Sequence, residues 1–158
     1  MKKWKVLYAP WRIGYILGEK IKGCLFCKLV KQKNDKKNLI LERKEKCFVI
    51  LNRYPYNNGH LMIVPYKHTD DLTKLDKETL AEMMETAKEY TAKMKKVMRT
   101  DGFNIGINMG QIAGAGIADH LHLHIVPRWA GDNNFMPVIG GSKVISESFE
   151  SVYKKLKK

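Results

Sequence analysis

Apolar residues recur at steps of three and four from Lys77 to Met98, and this spacing predicts one long amphipathic helix in the middle of the chain. Asp76 stands directly before the helix and can accept hydrogen bonds from its first turn. The apolar positions are Leu80, Met83, Met84, Ala87, Tyr90, Met94, Val97 and Met98. We interpret the methionines of this stripe as core packing.

Short runs of β-prone residues lie on both sides of that helix. Cys47 to Leu51 and Leu61 to Val64 are joined by a turn-rich segment at 52–59, which predicts a hairpin. Phe103 to Met109 and His120 to Val126 form a second pair of predicted strands. Because the strands surround one long helix without regular βαβ alternation, we predict an α+β domain with an antiparallel sheet and a long central helix.

The length and composition predict a single folded domain. Independent cores usually take roughly 100 to 200 residues each, and this chain has 158. Its 44% hydrophobic and 28% charged residues lie near the globular average, which excludes a low-complexity chain. We expect one domain over residues 1–158, with an amino-terminal arm at 1–20 and a charged carboxy-terminal tail at 143–158.

The apolar runs are too short for a membrane protein. Phe48 to Leu51 and Leu61 to Val64 fall far below the ~20 residues that cross a bilayer, so we expect no membrane partner. Lys5, Pro10 and Arg12 interrupt the stretch where a signal peptide would need an apolar core. Three cysteines, an odd number, suit a reducing compartment, so a cytoplasmic location is expected.

The chain is strongly basic. Lysine and arginine number 29 against 16 acidic residues, a formal net charge of +13. This charge attracts nucleotides, nucleic acid and anionic membranes alike, so it does not select among them. Many of the lysines lie in runs, which we interpret as solvated surface.

Three histidines alternate with apolar residues at His120, His122 and His124. Alternate side chains of a strand point to opposite faces, so we expect the apolar set in the core and three imidazoles ~7 Å apart on an exposed face. Imidazole titrates near neutral pH and can act as nucleophile, acid, base or metal ligand. Two chemistries stay open: a covalent histidine nucleophile, or an open zinc site that activates water.

Glycines are concentrated in the segment that leads into the histidines. Because glycine lets backbone N–H groups approach an anion closely, this segment favours a phosphate held against a nucleophile. The five glycines are Gly102, Gly106, Gly110, Gly114 and Gly116.

These motifs together resemble the histidine triad family. His120-Leu-His-Leu-His124-Ile-Val126 is similar to the signature of that family. Asn52, eight residues before His60, begins a segment that resembles the family's nucleotide-binding hairpin. The resemblance covers roughly residues 24–135 and implies a histidine-triad-like fold.

The flanking segments resemble one branch of the family, the diadenosine tetraphosphate phosphorylases and adenylyltransferases. They run from Tyr8 to Ile16 and from Pro127 to Phe135. Ala115-Gly116 stands where that branch often has Gly-Ser, so a hydroxyl that could contact phosphate is missing. Water and inorganic phosphate both stay open as the acceptor.

The resemblance implies a covalent mechanism on dinucleoside polyphosphates or related adenosine-type nucleotide conjugates. His122 would attack the α-phosphorus and form a nucleotidyl-histidine, while His124 and His60 orient the phosphate and the nucleophile. Asn52 would bind ribose hydroxyls. The residues implied for the polyphosphate cradle are Asn108, Gln111, Gly114 and Gly116.

A second motif, Cys24-Leu-Phe-Cys27, is a two-ligand zinc half-site. Some members of the family pair such a motif with the histidine after the hairpin and with the first triad histidine, here His68 and His120. The resemblance therefore implies a structural zinc ion closed by four ligands, and no organic cofactor. We interpret Cys47 as a buried small residue.

Two other functions remain as alternatives. One is a nucleotide or nucleic-acid binding module with little turnover, although nucleic acid is not the expected partner. The other is an open-site zinc metallohydrolase, which would lose activity on chelation. The family resemblance also implies a homodimer formed through the long helix and a neighbouring strand.

Overall fold

The structure is a computed structural model that describes residues 23–132, 145 and 147–157. The predicted amino-terminal arm at 1–20 and the flank from Tyr8 to Ile16 lie outside the described residues, as does most of the segment between Asp132 and Glu147.

A five-stranded antiparallel sheet in the order β1-β2-β3-β5-β4 forms the centre of the molecule. The strands are β1 Ile40–Arg43, β2 Cys47–Leu51, β3 Leu61–Pro65, β4 Gly102–Ile107 and β5 Leu123–Arg128. The predicted hairpin is β2–β3, in which Val49 lies opposite Ile63. The predicted α+β class is confirmed.

The described residues form four α-helices. They are α1 Leu25–Lys31, α2 Asp35–Asn38, α3 Lys77–Met98 and α4 Phe149–Lys157, with short 3-10 turns at Leu72–Lys74 and Gln111–Ala113. The predicted long helix is α3, and Asp76 caps it by accepting a 2.7 Å hydrogen bond from the N–H of Thr79. In the described part of the chain, every helix is too short or too polar to cross a membrane.

Both faces of β2 and β3 are covered. Val49 and Ile63 pack in one apolar cluster with Met83 and Met94 of α3. These two methionines are core residues as predicted, whereas Met84 of the same stripe is exposed, which corrects the prediction. On the opposite face, α1 contributes Phe26 to a second apolar cluster. The other buried members of this second cluster are Ile40, Phe48, Ile50, Met62 and Val64. Burial on both faces explains why β2 and β3 are continuous apolar runs.

The carboxy-terminal segment contains a packed helix, which the prediction of a charged tail misses. Val152, Tyr153 and Leu156 are buried in the cluster on the α3 face, and the Tyr153 hydroxyl donates to the carbonyl of Ile40 at 3.1 Å. Lys154, Lys155 and Lys157 are exposed. The charged run is therefore the outer face of an amphipathic helix.

The turn between β2 and β3 brings His60 back toward Asn52. Gly59 adopts a positive φ of 72°, and a Cβ atom there would lie 2.8 Å from the side chain of Met98. Only glycine fits both conditions without a shift of neighbouring atoms. The N–H of Asn52 donates to the carbonyl of His60 at 2.8 Å and closes the loop.

Candidate active site and metal cluster

The three triad histidines are buried, with exposed fractions of 2%, 3% and 8% for His120, His122 and His124. The expectation of an exposed row of imidazoles is therefore wrong. The reason is α1, which packs over this face and places the ring of Phe26 5.4 Å from that of His120 and 5.2 Å from that of His122. Strand β5 begins only at Leu123, so the first two histidines precede it.

The hydrogen bond of His122 fixes which ring nitrogen is nucleophilic. Its Nδ1 lies 2.8 Å from the carbonyl oxygen of His120. Because a carbonyl oxygen only accepts, we assign the proton to Nδ1 and the lone pair to Nε2. Burial lowers the pKa of His122, and the bond to His120 partly offsets that effect. The ring is neutral at pH 7 and keeps its Nε2 lone pair.

A chain of hydrogen bonds sets the tautomers of His60 and His124. The N–H of Tyr56 donates to His60 Nδ1 at 3.1 Å, so His60 carries its proton on Nε2. That Nε2 lies 2.9 Å from Nδ1 of His124 and donates to it. The remaining ring proton of His124 therefore lies on its Nε2. Asn52 Nδ2 lies 3.4 Å from His60 Nδ1, so the structure brings Asn52 to this pair.

Burial keeps the His60–His124 pair neutral. It lowers the pKa of His60 to about 3, with a smaller effect of the neighbouring His124 and His122, and lowers the pKa of His124 to about 4. Neither ring is protonated at physiological pH. The pair can therefore donate a hydrogen bond through His124 Nε2 without carrying positive charge.

Acidification is expected to destabilise the protein through His60. The unfolded chain binds a proton at this residue below about pH 6.5, whereas the folded chain does so only near pH 3, so the free energy of unfolding decreases as the pH falls. Between about pH 7 and pH 5 the loss from this one residue is about 2 kcal/mol. Chemical denaturation at both pH values measures it, with His60→Gln as the comparison. An equal loss in the wild type and the variant would contradict the assignment.

The residues expected to cradle phosphate lie in the loop between β4 and β5. Asn108 is half-buried, whereas Gln111, Gly114 and Gly116 are exposed. The N–H of Gly114 donates to the carbonyl of Gln111 at 2.9 Å, so this amide is already bonded within the loop. Gly114 adopts a positive φ of 86°, and a Cβ atom there would lie 4.0 Å from Nδ2 of Asn108. Among the described contacts, none joins Gln111 or Gly116 to the histidines.

Four predicted metal ligands converge: Cys24, Cys27, His68 and His120. Their ligand atoms all lie within 4.8 Å of one another. His120 Nε2 lies 2.9 Å from the carbonyl of Pro65 and must donate to it, so its Nδ1 lone pair faces the cluster. Burial is the largest cause that raises the pKa of the Cys24 thiol, and a bound cation would counteract it.

Three distances within the cluster are close to the edges of a tetrahedral zinc site, and a fourth, from Cys24 to His120, is shorter. Zinc–nitrogen and zinc–sulfur bonds of ordinary length predict edges of about 3.3 Å between two nitrogens and about 3.6 Å between sulfur and nitrogen. His68 Nδ1 and His120 Nδ1 are 3.2 Å apart, and Cys27 Sγ lies 3.6 Å from His68 Nδ1 and 3.7 Å from His120 Nδ1. Cys24 Sγ lies 3.2 Å from His120 Nδ1. The donor set therefore fits a closed, four-coordinate metal and leaves no ligand position for water.

Comparison with known proteins agrees with this geometry. The model of the HIT domain, the histidine triad domain, matches residues 32–131. The chain belongs to the histidine triad family. The AP-4-A phosphorylase of Mycobacterium tuberculosis is 39% identical over 150 residues, which cover 89% of this chain and 76% of that protein. The resemblance to the family is confirmed.

Two further proteins are similar to this chain. The adenosine 5'-monophosphoramidase of Saccharomyces cerevisiae is 32% identical over 106 residues, covering 67% of this chain and 63% of that protein. The crystal structure of a Zn-bound histidine triad family protein from Mycobacterium smegmatis superposes with a TM-score of 0.70 at 30% identity. That alignment covers 85% of this chain and 91% of the other.

Sequence reasoning missed two aromatic residues of this histidine triad site. Phe26 lies between the two cysteines and is buried against His120 and His122. The ring of Tyr56 lies 4.7 Å from that of His60, and 53% of the residue is exposed. The sequence held a signal for Phe26. This residue lies inside the Cys-x-x-Cys motif, so a metal cluster that joins the motif to His120 also places the Phe26 ring beside the histidines.

Proposed function

We propose that this protein is a nucleotidyl hydrolase or transferase that cleaves dinucleoside polyphosphates, such as diadenosine tetraphosphate, through a covalent nucleotidyl-histidine. One observation carries the proposal: the carbonyl of His120 holds Nδ1 of His122, so the Nε2 lone pair is the nucleophile. The AP-4-A phosphorylase relative supports the substrate class, because 89% of this chain aligns with it.

In the first step, His122 Nε2 forms a bond to the α-phosphorus. The bond from that phosphorus to the bridging oxygen breaks, and the remaining nucleotide leaves with the electron pair. The imidazole then carries positive charge, which the hydrogen bond from Nδ1 to the His120 carbonyl stabilises. His124 donates from Nε2 to a phosphate oxygen, and His60 keeps it in that tautomer.

In the second step, an acceptor oxygen attacks the same phosphorus and the phosphorus–nitrogen bond breaks. The electron pair of that bond returns to Nε2, which restores the neutral ring of His122, and the proton of the acceptor is released to solvent. Water as acceptor releases AMP, whereas inorganic phosphate releases ADP. Asn52 would hold ribose hydroxyls, and the loop with Asn108, Gln111, Gly114 and Gly116 would lie along the polyphosphate.

The nucleophile lies in a buried position. Only 3% of the His122 surface is exposed, and the ring of Phe26 packs 5.2 Å from its ring. Burial limits the access of bulk water to the phosphoryl intermediate, so the acceptor must bind within the site.

The test is incubation with diadenosine tetraphosphate, with and without inorganic phosphate, followed by identification of the products. AMP plus ATP establishes hydrolysis, and ADP plus ATP establishes phosphorolysis. Quenching the enzyme during turnover with an alkaline denaturant, in which the phosphorus–nitrogen bond survives, should trap a nucleotide on His122, located by peptide mass. Nucleotide binding without any product would overturn the proposal and establish a binding module.

The cysteine and histidine cluster would hold a structural zinc ion. A zinc ion bound there supplies folding free energy and joins the segment before α1 to the residues that lead into β5. The closed donor set argues against the open-site metallohydrolase, since His122 and His124 are engaged elsewhere. Thiolate ligands persist in a reducing compartment, which supports a cytoplasmic location.

The protein would act as a homodimer through the free edge of β4. Among the described residues this strand pairs only with β5, and Ile105 at its middle is 45% exposed. Light scattering coupled to size-exclusion chromatography should give twice the chain mass. Ile105→Lys should give the monomer mass, because two like charges would face each other across the paired edges. A monomeric wild type would contradict the proposal.

A further inference from the structure

A buried amide joins the hairpin loop to the far end of β5. Asn57 is 6% exposed, and its Nδ2 donates to the carbonyl of Pro127 at 2.9 Å and to Oδ2 of Asp132 at 2.7 Å. Both protons of the amide nitrogen are therefore used in contacts between the two elements.

Asp132 is itself held in place by several donors. Its side chain is 8% exposed, and Arg128 donates to it twice, from Nε at 2.6 Å and from Nη2 at 2.8 Å. The N–H of Trp129 adds a third donor at 3.3 Å. A buried carboxylate with this many donors keeps one orientation, so it gives the Asn57 amide a fixed acceptor.

The backbone carries this constraint from Asn57 to the catalytic histidines. The carbonyl of Asn57 accepts from the N–H of His60 at 3.1 Å, and the N–H of the preceding Tyr56 donates to the His60 ring. Beside the β3–β5 ladder, side chains of the hairpin loop thus contact β5 and the residues after it in two places: Asn57 with Pro127 and Asp132, and His60 with His124. Movement of Asn57 relative to Asp132 therefore changes the angle and distance between His60 Nε2 and His124 Nδ1.

We propose that Asn57 and Asp132 are positioning residues that hold His60 Nε2 against His124 Nδ1. This inference rests on the proposed function, in which His124 must present its Nε2 proton to the transferred phosphate. Without the contact, the loop relaxes and the N–H of Tyr56 no longer fixes the proton of His60. The ring can then adopt the other tautomer, which cannot donate to His124.

Asn57→Ala and Asp132→Ala test the proposal by two measurements. We expect kcat for diadenosine tetraphosphate to fall about 10- to 100-fold, with KM changed less than about threefold. We also expect nitrogen-15 NMR of His60 to change from a single Nε2-protonated tautomer to a mixture. Asp132→Asn preserves the shape of the side chain, so it supplies a mild variant with the same direction of change if the alanine variants do not fold.

Asp35→Ala is the matched control. Arg43 donates to Asp35 from Nε and Nη2, as Arg128 does to Asp132. This pair, however, joins α2 to β1 and has no contact with Asn57 or His60 among the described hydrogen bonds. It should lower thermal stability while kcat and the His60 signals stay unchanged. The same result for Asn57→Ala, Asp132→Ala and Asp132→Asn would overturn the proposal. If the wild type shows no turnover, the proposed function fails. The nitrogen-15 signals of His60 then still test the positioning role: a change in the variants supports it, and no change overturns it.

Discussion

His122→Gly is expected to lower the turnover of diadenosine tetraphosphate by about 10⁴-fold or more, because the covalent step then has no nucleophile. The nucleotide trapped on the protein after alkaline quenching should disappear as well. Because His122 is buried against Phe26, the glycine variant also leaves a cavity and loses some stability. Turnover and melting temperature must therefore be measured on the same preparation.

Two comparisons separate lost chemistry from lost structure. His122→Asn fills most of the space and retains a side-chain donor for the His120 carbonyl, so it should fold better than the glycine variant and be equally inactive. Added imidazole should restore part of the activity of His122→Gly, since the cavity can admit the missing ring. Near-full activity of either variant would show that another group attacks the phosphorus.

Replacing Cys24 and Cys27 together with serine is expected to abolish stoichiometric zinc binding. Zinc present at about 1,000 times its dissociation constant stabilises the folded state by about 4 kcal/mol. The variant loses this stabilisation, so its melting temperature should be lower by about 10 °C. We also expect a lower kcat, because His120 contributes Nδ1 to the cluster and its carbonyl to His122. Metal analysis, thermal unfolding and product assays measure the three effects.

Cys47→Ser is the matched control for this experiment. Burial raises the pKa of Cys47 to about 12, and its Sγ lies 3.9 Å from Thr86 Oγ1 in the core on the α3 face. Its replacement should cost stability without a change in zinc content. A Cys24 and Cys27 double variant that keeps its zinc, or a wild-type protein purified without any, would refute the structural zinc site.

The sequence predicted those parts of the fold in which local pattern and burial agree. Helix α3 has an apolar stripe with helical spacing and a capping aspartate, and both predicted bounds match the structure. Strands β2 and β3 are apolar runs on either side of a turn, and their bounds agree within one residue. The family resemblance placed Cys24, Cys27, His68 and His120 in one cluster, and the structure brings their ligand atoms together.

The remaining features depend on contacts between distant segments, which no local pattern encodes. The histidine row alternates like a half-exposed strand, yet α1 covers its polar face because the Cys-x-x-Cys segment lies beside His120. In α4, lysines are interspersed with Val152, Tyr153 and Leu156, and these three residues become buried only when the helix packs on the core. The Asn57–Asp132 bond joins residues 75 positions apart, so neither residue carries a signal of its own.

The docking of α4 has a consequence for synthesis in the cell. Tyr153 bonds to the carbonyl of Ile40, 113 positions before it, and Leu156 fills the same core as α3. During synthesis, β1 to β5 therefore emerge from the ribosome before α4, and the core on the α3 face lacks Val152, Tyr153 and Leu156 until α4 follows. Chaperones that recognise exposed apolar surface have their longest opportunity to bind in that interval, and translation rate should affect the yield of native protein.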